Sequence, residues 1–214
     1  VDEVLGVATA NNWGLATRDG FIYIFNGEYW QPVGADDFKP FLAKAAMKMG
    51  VPVMESKYHM FKDELYKQFL SEANLQPPTR GNKVLINLRN GTFEISSEWQ
   101  GLREFDRDDF IKYQLSFEYD PKSTCPVFDK YLLRVLPDEG CRKVLAEYLG
   151  YIFINNLKLE KAVILYGSGA NGKSVFFEII NAILGTENIC SYSLQNLTKY
   201  DSYQRAELAN KLLN

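Results

Sequence analysis

Apolar positions along the chain change period several times, and each change marks an element. Phe21-Ile22-Tyr23-Ile24-Phe25 is a β-rich run, followed by Asn26-Gly27 and Glu28-Tyr29-Trp30. Asn-Gly between such runs predicts a hairpin, because both turn residues need positive φ. From Asp36-Asp37 the period becomes helical: Phe38, Phe41, Leu42, Ala45 and Met49 share a face, and Gly50 and Pro52 stop the helix. A second helix is predicted over 56–73, with Phe61, Leu65 and Phe69 as its stripe. Gln76-Pro77-Pro78-Thr79-Arg80-Gly81 reads as a linker, since neither proline can continue a helix. A second hairpin follows, with Val84-Leu85-Ile86-Asn87-Leu88 and Thr92-Phe93-Glu94-Ile95 flanking Asn90-Gly91. The two helices and this strand pair together suggest a winged-helix-like unit. Ile111, Tyr113, Leu115, Phe117 and Tyr119 then alternate with Lys112, Gln114, Ser116 and Glu118, which predicts a half-buried strand ended by Pro121.

Beyond Pro121 the period is helical again. Thr124 and Pro126 mark a start, and Phe128, Leu132 and Val135 form a stripe. Pro137-Asp138 breaks and restarts it. Val144, Leu145, Tyr148, Leu149 and Ile152 carry a longer helix, ending near Asn155-Asn156. The last pattern is an apolar strand, Ala162-Val163-Ile164-Leu165-Tyr166, then a glycine-rich turn, then a helix over 173–184 with Gly185 at its C-terminal cap.

Composition narrows the classes. The 214 residues are 46% hydrophobic and 14% aromatic, too apolar for a disordered chain. Net charge is −3, split as +1 over 161–214 and −4 over the rest, so any nucleic-acid contact must be local. No apolar run approaches the ~18 residues of a membrane span, and Val1-Asp2-Glu3 shows no basic leader. A cytoplasmic protein without membrane contact is expected. Cys125, Cys141 and Cys190 are too far apart for a disulfide framework or zinc pair, and read as buried, reduced thiols.

One motif carries chemistry. Gly167-Ser168-Gly169-Ala170-Asn171-Gly172-Lys173-Ser174 fits GxxxxGK[ST], the Walker A pattern. Glycines let successive backbone N–H groups converge on phosphate oxygens, and the following helix adds its positive N-terminal end. Lys173 would supply the catalytic point charge to the β- and γ-phosphates of ATP, and Ser174 a hydroxyl to Mg²⁺. The predicted strand before the loop and helix after it are the arrangement this motif needs.

From about residue 83 to 184 the sequence resembles the phage and plasmid primase–helicase proteins, related to the poxvirus helicase-primase. The resemblance rests on an ordered series. It begins with Ile86-Asn87-Leu88-Arg89-Asn90-Gly91-Thr92-Phe93, Tyr119-Asp120-Pro121 and Cys125-Pro126. It continues with Leu136-Pro137-Asp138-Glu139, Glu147-Tyr148-Leu149-Gly150-Tyr151 and Leu165-Tyr166-Gly167 running into Asn171-Gly172-Lys173-Ser174. The resemblance implies an α+β N-terminal region with β-hairpins and helices, followed by a partial α/β P-loop (AAA+-like, superfamily 3) NTPase domain. The implied parts are a hairpin and helical region over 1–80, a collar over 81–160 and the start of the motor over 161–214. It further implies an ATP-dependent replicative DNA helicase working as a hexameric ring on single-stranded or fork DNA.

The sequence departs from that family after Ser174. Glu178, Glu187, Asp201 and Glu207 do not end an apolar run, and Arg205 is misplaced for an arginine finger and reads as a surface residue. Lys211-Leu212-Leu213-Asn214 reads as the opening of a Walker B strand, so the motor is expected to be incomplete and the chain to hydrolyse ATP little. Primase chemistry needs clustered carboxylates for two metals. Glu104, Asp106, Asp108 and Asp109 are the densest group and read as a solvated turn. The single histidine, His59, cannot build a metal site with these cysteines. Between Phe38 and Lys62, lysines 39, 44, 48, 57 and 62 face only Glu55, a local +4. Lys44, Lys48, Lys57 and Lys62 are therefore candidate DNA contacts, or equally a charged outer face. Two other readings stay open: a non-catalytic DNA-binding or oligomerisation module, and an unrelated P-loop NTPase.

Overall fold

The computed structural model describes residues 1–11, 13–18, 20–73, 83–154, 159–191 and 193. Among these the fold is α+β, with seven α-helices and two three-stranded antiparallel sheets. The predicted linker over 76–81, the end of the 144–152 helix at Asn155-Asn156, and residues 201–214 lie outside the described residues. The chain divides into two compact units: residues 1–114, 118–121 and 150–158 in the first, and 115–117, 122–149 and 159–214 in the second.

The first unit opens with helix α1 (Asp2–Ala10), which the hydrophobic pattern did not flag. Strands β1 (Leu15–Arg18), β2 (Phe21–Phe25) and β3 (Trp30–Val33) follow in one sheet of order β1-β2-β3. The predicted β2–β3 hairpin forms, with Phe25 opposite Trp30. Its loop spans four residues, because the Asn26 side chain accepts from the backbone N–H of Glu28 and Tyr29 at 2.9 and 2.8 Å and closes a wider turn.

Helix α2 (Ala35–Lys48) matches the predicted helix, but its buried face is Phe38, Leu42, Ala43 and Ala46, leaving Phe41 and Met49 exposed. The single helix predicted over 56–73 is two: α3 (Val53–Lys57) and α4 (His59–Glu72). Tyr58 breaks them by taking extended backbone, φ −65° and ψ 133°. Phe69 of α4, Phe38 and Leu42 of α2 and Ile22 of β2 form one core, with Phe38 and Phe69 rings 4.7 Å apart. The helices thus bury their faces against the sheet that precedes them, and the strand pair after them is not in that core.

The second sheet is β4 (Val84–Leu88), β5 (Gly91–Ile95) and β6 (Gln100–Arg103). Its first turn is Arg89-Asn90, one residue earlier than predicted, since Leu88 pairs with Gly91. Gly91 has φ +143° and lies so close to the Arg103 carbonyl that no side chain fits there. The acidic run after β6 is not simply a solvated turn. Arg103 spans Glu94 at 2.8 Å and Asp109 at 2.7 Å, with both carboxylates largely enclosed. Lys83 and Arg103 hold the Glu94 carboxyl below its usual range through hydrogen bonds that favour its charged form. Asp106 caps a short 3-10 helix (Arg107–Asp109) by accepting from the Asp108 N–H at 2.9 Å.

The strand predicted over 111–119 does not form. Ile111 is buried as the alternation requires, and its carbonyl accepts from the Trp30 N–H at 2.8 Å, but no strand ladder continues from that bond among the described residues. The segment docks through side chains instead: the Tyr113 hydroxyl donates to the Leu85 carbonyl at 3.1 Å, and Asn90 bonds Tyr119 in both directions at 3.0 Å. The preceding Phe110 is left-handed, φ 48°, which seats its ring 5.0 Å from Trp30 and 5.3 Å from Tyr23 in a second core.

The second unit contains helix α5 (Pro126–Val135), with Pro126 at its first turn as predicted, α6 (Glu139–Tyr151), which runs on into the first unit, and α7 (Lys173–Leu184). Asp138 starts α6 by accepting from the Cys141 N–H at 2.7 Å, and Arg142 closes the break by donating to the carbonyls of Leu136 and Pro137. The hydrogen bond from the Cys141 backbone holds the Asp138 carboxyl below its usual range, while Asp138 pushes the Cys141 thiol up. The apolar run over 162–166 is not a strand, and Ile164 and Tyr166 are 86% and 96% exposed. A strand exists only by pairing, and no described residue pairs with this run. Both described sheets are antiparallel, so the parallel sheet expected of the P-loop domain is not among the described residues. All three cysteines are exposed, against the expected burial.

Candidate functional site

The motif residues 167–174 lie together in the second unit as a turn running into α7. Gly169, Ala170 and Gly172 take φ of +108°, +48° and +87°, which curls the backbone back on itself. Gly167 has no room for a side chain, because a Cβ would overlap Asn171 and sit 3.1 Å from the Lys173 ammonium. Gly172 caps the helix and accepts the Phe176 N–H at 3.0 Å, so α7 begins at Lys173, where the motif requires. Gly185 ends it with φ 83°, the predicted C-terminal cap.

Lys173 folds back over the turn. Its ammonium donates to the Gly167 carbonyl at 3.1 Å and to Asn171 Oδ1 at 2.6 Å, both neutral acceptors. Ser168 and Ser174 are exposed. A concavity of about 740 Å³ lies over the turn, walled by residues 169–175 and by Tyr131, Arg134 and Val135 of α5. Among the described residues its walls hold two cations, Lys173 and Arg134, and no carboxylate. The Tyr131 hydroxyl donates to the Gly172 carbonyl at 2.7 Å and fixes the helix cap.

Sequence reasoning missed Tyr131 and Arg134. They sit 38 or more positions before Gly172-Lys173 in the chain, on a helix whose stripe was read for packing alone. The alternation of polar and apolar residues on α5 gave no sign that one edge would meet the turn.

The candidate DNA lysines divide among three packed helices. Lys44 and Lys48 are exposed one turn apart on α2, Lys57 is exposed at the end of α3, and Lys62 is half-buried on α4. Lys39 leaves the group, because it pairs with Asp63 at 2.7 Å. None of the other four has an ion-pair partner among the described residues. His59 meets the Tyr58 ring edge to face, ring centres 4.8 Å apart and planes 62° from parallel. No group of three or more histidine, cysteine or acidic side chains among the described residues could hold a metal. No described helix is long and apolar enough to cross a membrane.

Comparison with known proteins supplies two findings. Residues 11–137 match the family described as D5 N terminal like. The chain is also 28% identical over 109 residues to the protein named "Putative helicase L207/L206" of Acanthamoeba polyphaga mimivirus. That match covers 49% of this chain and 11% of the viral protein, so the chain spans about a tenth of that relative's length.

Proposed function

Because the chain belongs to the D5 N terminal like family, we propose that it is part of an ATP-dependent, primase-associated DNA helicase of a phage, plasmid or integrated mobile element. Residues 167–174 are the nucleotide-phosphate site in this reading. The observation that carries it is the concavity over the turn, which presents Lys173 and the start of α7 with no acidic wall among the described residues. The site fits a polyphosphate: the glycines leave the backbone bare, and among the described residues Lys173 is held by two neutral oxygens that a phosphate can replace. Lys173 would take the β- and γ-phosphates of ATP, the backbone of 167–172 the remaining oxygens, and Ser174 the Mg²⁺.

Calorimetric titration of the chain with MgATP tests this. Lys173→Ala is expected to weaken binding about 10- to 100-fold, the range of a charged hydrogen bond. Equal affinity for the variant, or no binding by the parent chain, would remove the loop from the nucleotide site.

DNA is the proposed partner, through backbone contacts from Lys44, Lys48, Lys57 and Lys62, whose charges have no ion-pair partner among the described residues. Replacing Lys44 and Lys48 by Ala is expected to lower the log–log salt slope of duplex binding by up to about 2, at ~0.9 per phosphate neutralised. An unchanged slope and affinity would make these lysines a solvated face. A hexameric ring belongs to the same proposal for the whole helicase.

A further inference from the structure

The motif accounts for one wall of the concavity, and helix α5 makes the other. Arg134 stands on that helix with no carboxylate, carbonyl or ring partner among the described residues. The nearby acid on α5, Asp129, lies five positions away on a different face and accepts from the Cys125 thiol at 3.8 Å. Tyr131, three positions before Arg134, already touches the turn through the Gly172 carbonyl. Val135 packs against the place where a Gly172 side chain would be. The last turn of α5 is thus seated on the start of α7 by two contacts, and Arg134 lies between them in sequence.

The geometry points to Arg134 as a second polyphosphate-binding cation, carried by α5, and to Tyr131 as the positioning residue that sets its approach. This rests on the nucleotide reading of residues 167–174. Two cations in one concavity, with no acid beside them among the described residues, leave the site short of negative charge, and a polyphosphate supplies it. A guanidinium offers two parallel donors to two phosphate oxygens, which an ammonium cannot reproduce. The ligand class is a nucleoside triphosphate or inorganic triphosphate, since the contact is to phosphate and not to base.

The test is calorimetric titration of the full chain with magnesium triphosphate and with MgATP, for Arg134→Ala, Arg134→Lys, Tyr131→Phe and Lys173→Ala. Arg134→Ala is expected to weaken both ligands at least ~10-fold, with Arg134→Lys recovering only part of the loss. Tyr131→Phe keeps the ring and loses the hydroxyl, so a smaller loss on both ligands is expected. Thermal melting of Arg134→Ala should match the parent, because the side chain is exposed and holds nothing else. If Lys173→Ala loses binding and Arg134→Ala does not, α5 has no part in the site while the loop keeps its role. If neither changes affinity, or the parent binds neither ligand, both readings fall.

Discussion

Phe69→Ala is expected to destabilise the first unit by about 3–5 kcal/mol, the usual cost of removing a fully buried phenylalanine. Phe69 is 0% exposed and is the sole buried side chain of α4. Its ring meets Phe38 at 4.7 Å and packs with Ile22 and Leu42, so one side chain joins α4, α2 and β2. One turn beyond Phe69, the C-terminal cap of α4 is held differently, by Thr17 of β1 donating to the Ala73 carbonyl. That backbone tie cannot close the gap left at Phe69, so the cavity persists. Urea unfolding followed by tryptophan fluorescence should show a lower midpoint with an unchanged slope. Phe41→Ala is the control: Phe41 lies one turn from Phe38 but is 41% exposed, and less than about 1 kcal/mol should be lost. Comparable losses from both variants would mean that α4 is not anchored through Phe69.

What could be read in the sequence follows how local its cause is. Asn26-Gly27 and Asn90-Gly91 marked both hairpins because the turn requirement sits in adjacent residues. Gly172 and Gly185 bracketed α7 for the same reason. The residue-level register shifted where a side chain intervened, as Asn26 did by capping its own loop. Strand β1 and its pairing with β2 were overlooked although Asp19-Gly20 is itself a hairpin signal in the sequence. Strand β6, Gln-Gly-Leu-Arg, has no apolar run, and only pairing with β5 makes it a strand.

The two failed strand expectations have one cause. Period-two alternation over 111–119 and an apolar run over 162–166 state how side chains should be buried, not what the backbone will bond. At 111 the backbone found a single partner, and at 162–166 none among the described residues. The candidate site divides the same way. Its turn was legible because a phosphate cradle is a contiguous pattern. Tyr131 and Arg134 reach it from an α5 edge that sequence spacing cannot connect to residue 172. Arg103, Glu94 and Asp109 were likewise hidden, since a charge cluster in sequence looks solvated until an opposite charge folds into it.

Gly172→Val should weaken nucleotide binding as much as Lys173→Ala, about 10- to 100-fold, while removing no donor. Gly172 has φ 87° and ψ −3°, a left-handed conformation that costs an ordinary residue about 1–2 kcal/mol and a β-branched one more. A Cβ there would lie 2.8 Å from Val135 Cγ1 and 3.2 Å from the Tyr131 hydroxyl, so α5 gives it no space. The chain can relieve both strains only by rotating the 171–173 peptides. That frees the Gly172 carbonyl from Tyr131 and turns the first N–H groups of α7 away from the concavity. Gly169→Ala separates the two strains: φ there is +108°, yet nothing lies within 4 Å of its Cβ. It should lose only part of the affinity. Calorimetry with MgATP, with far-ultraviolet circular dichroism to check that helix content is kept, reads the difference. Parent-like affinity in Gly172→Val would show that phosphate binding does not depend on this turn, and the site would have to be sought outside residues 167–174.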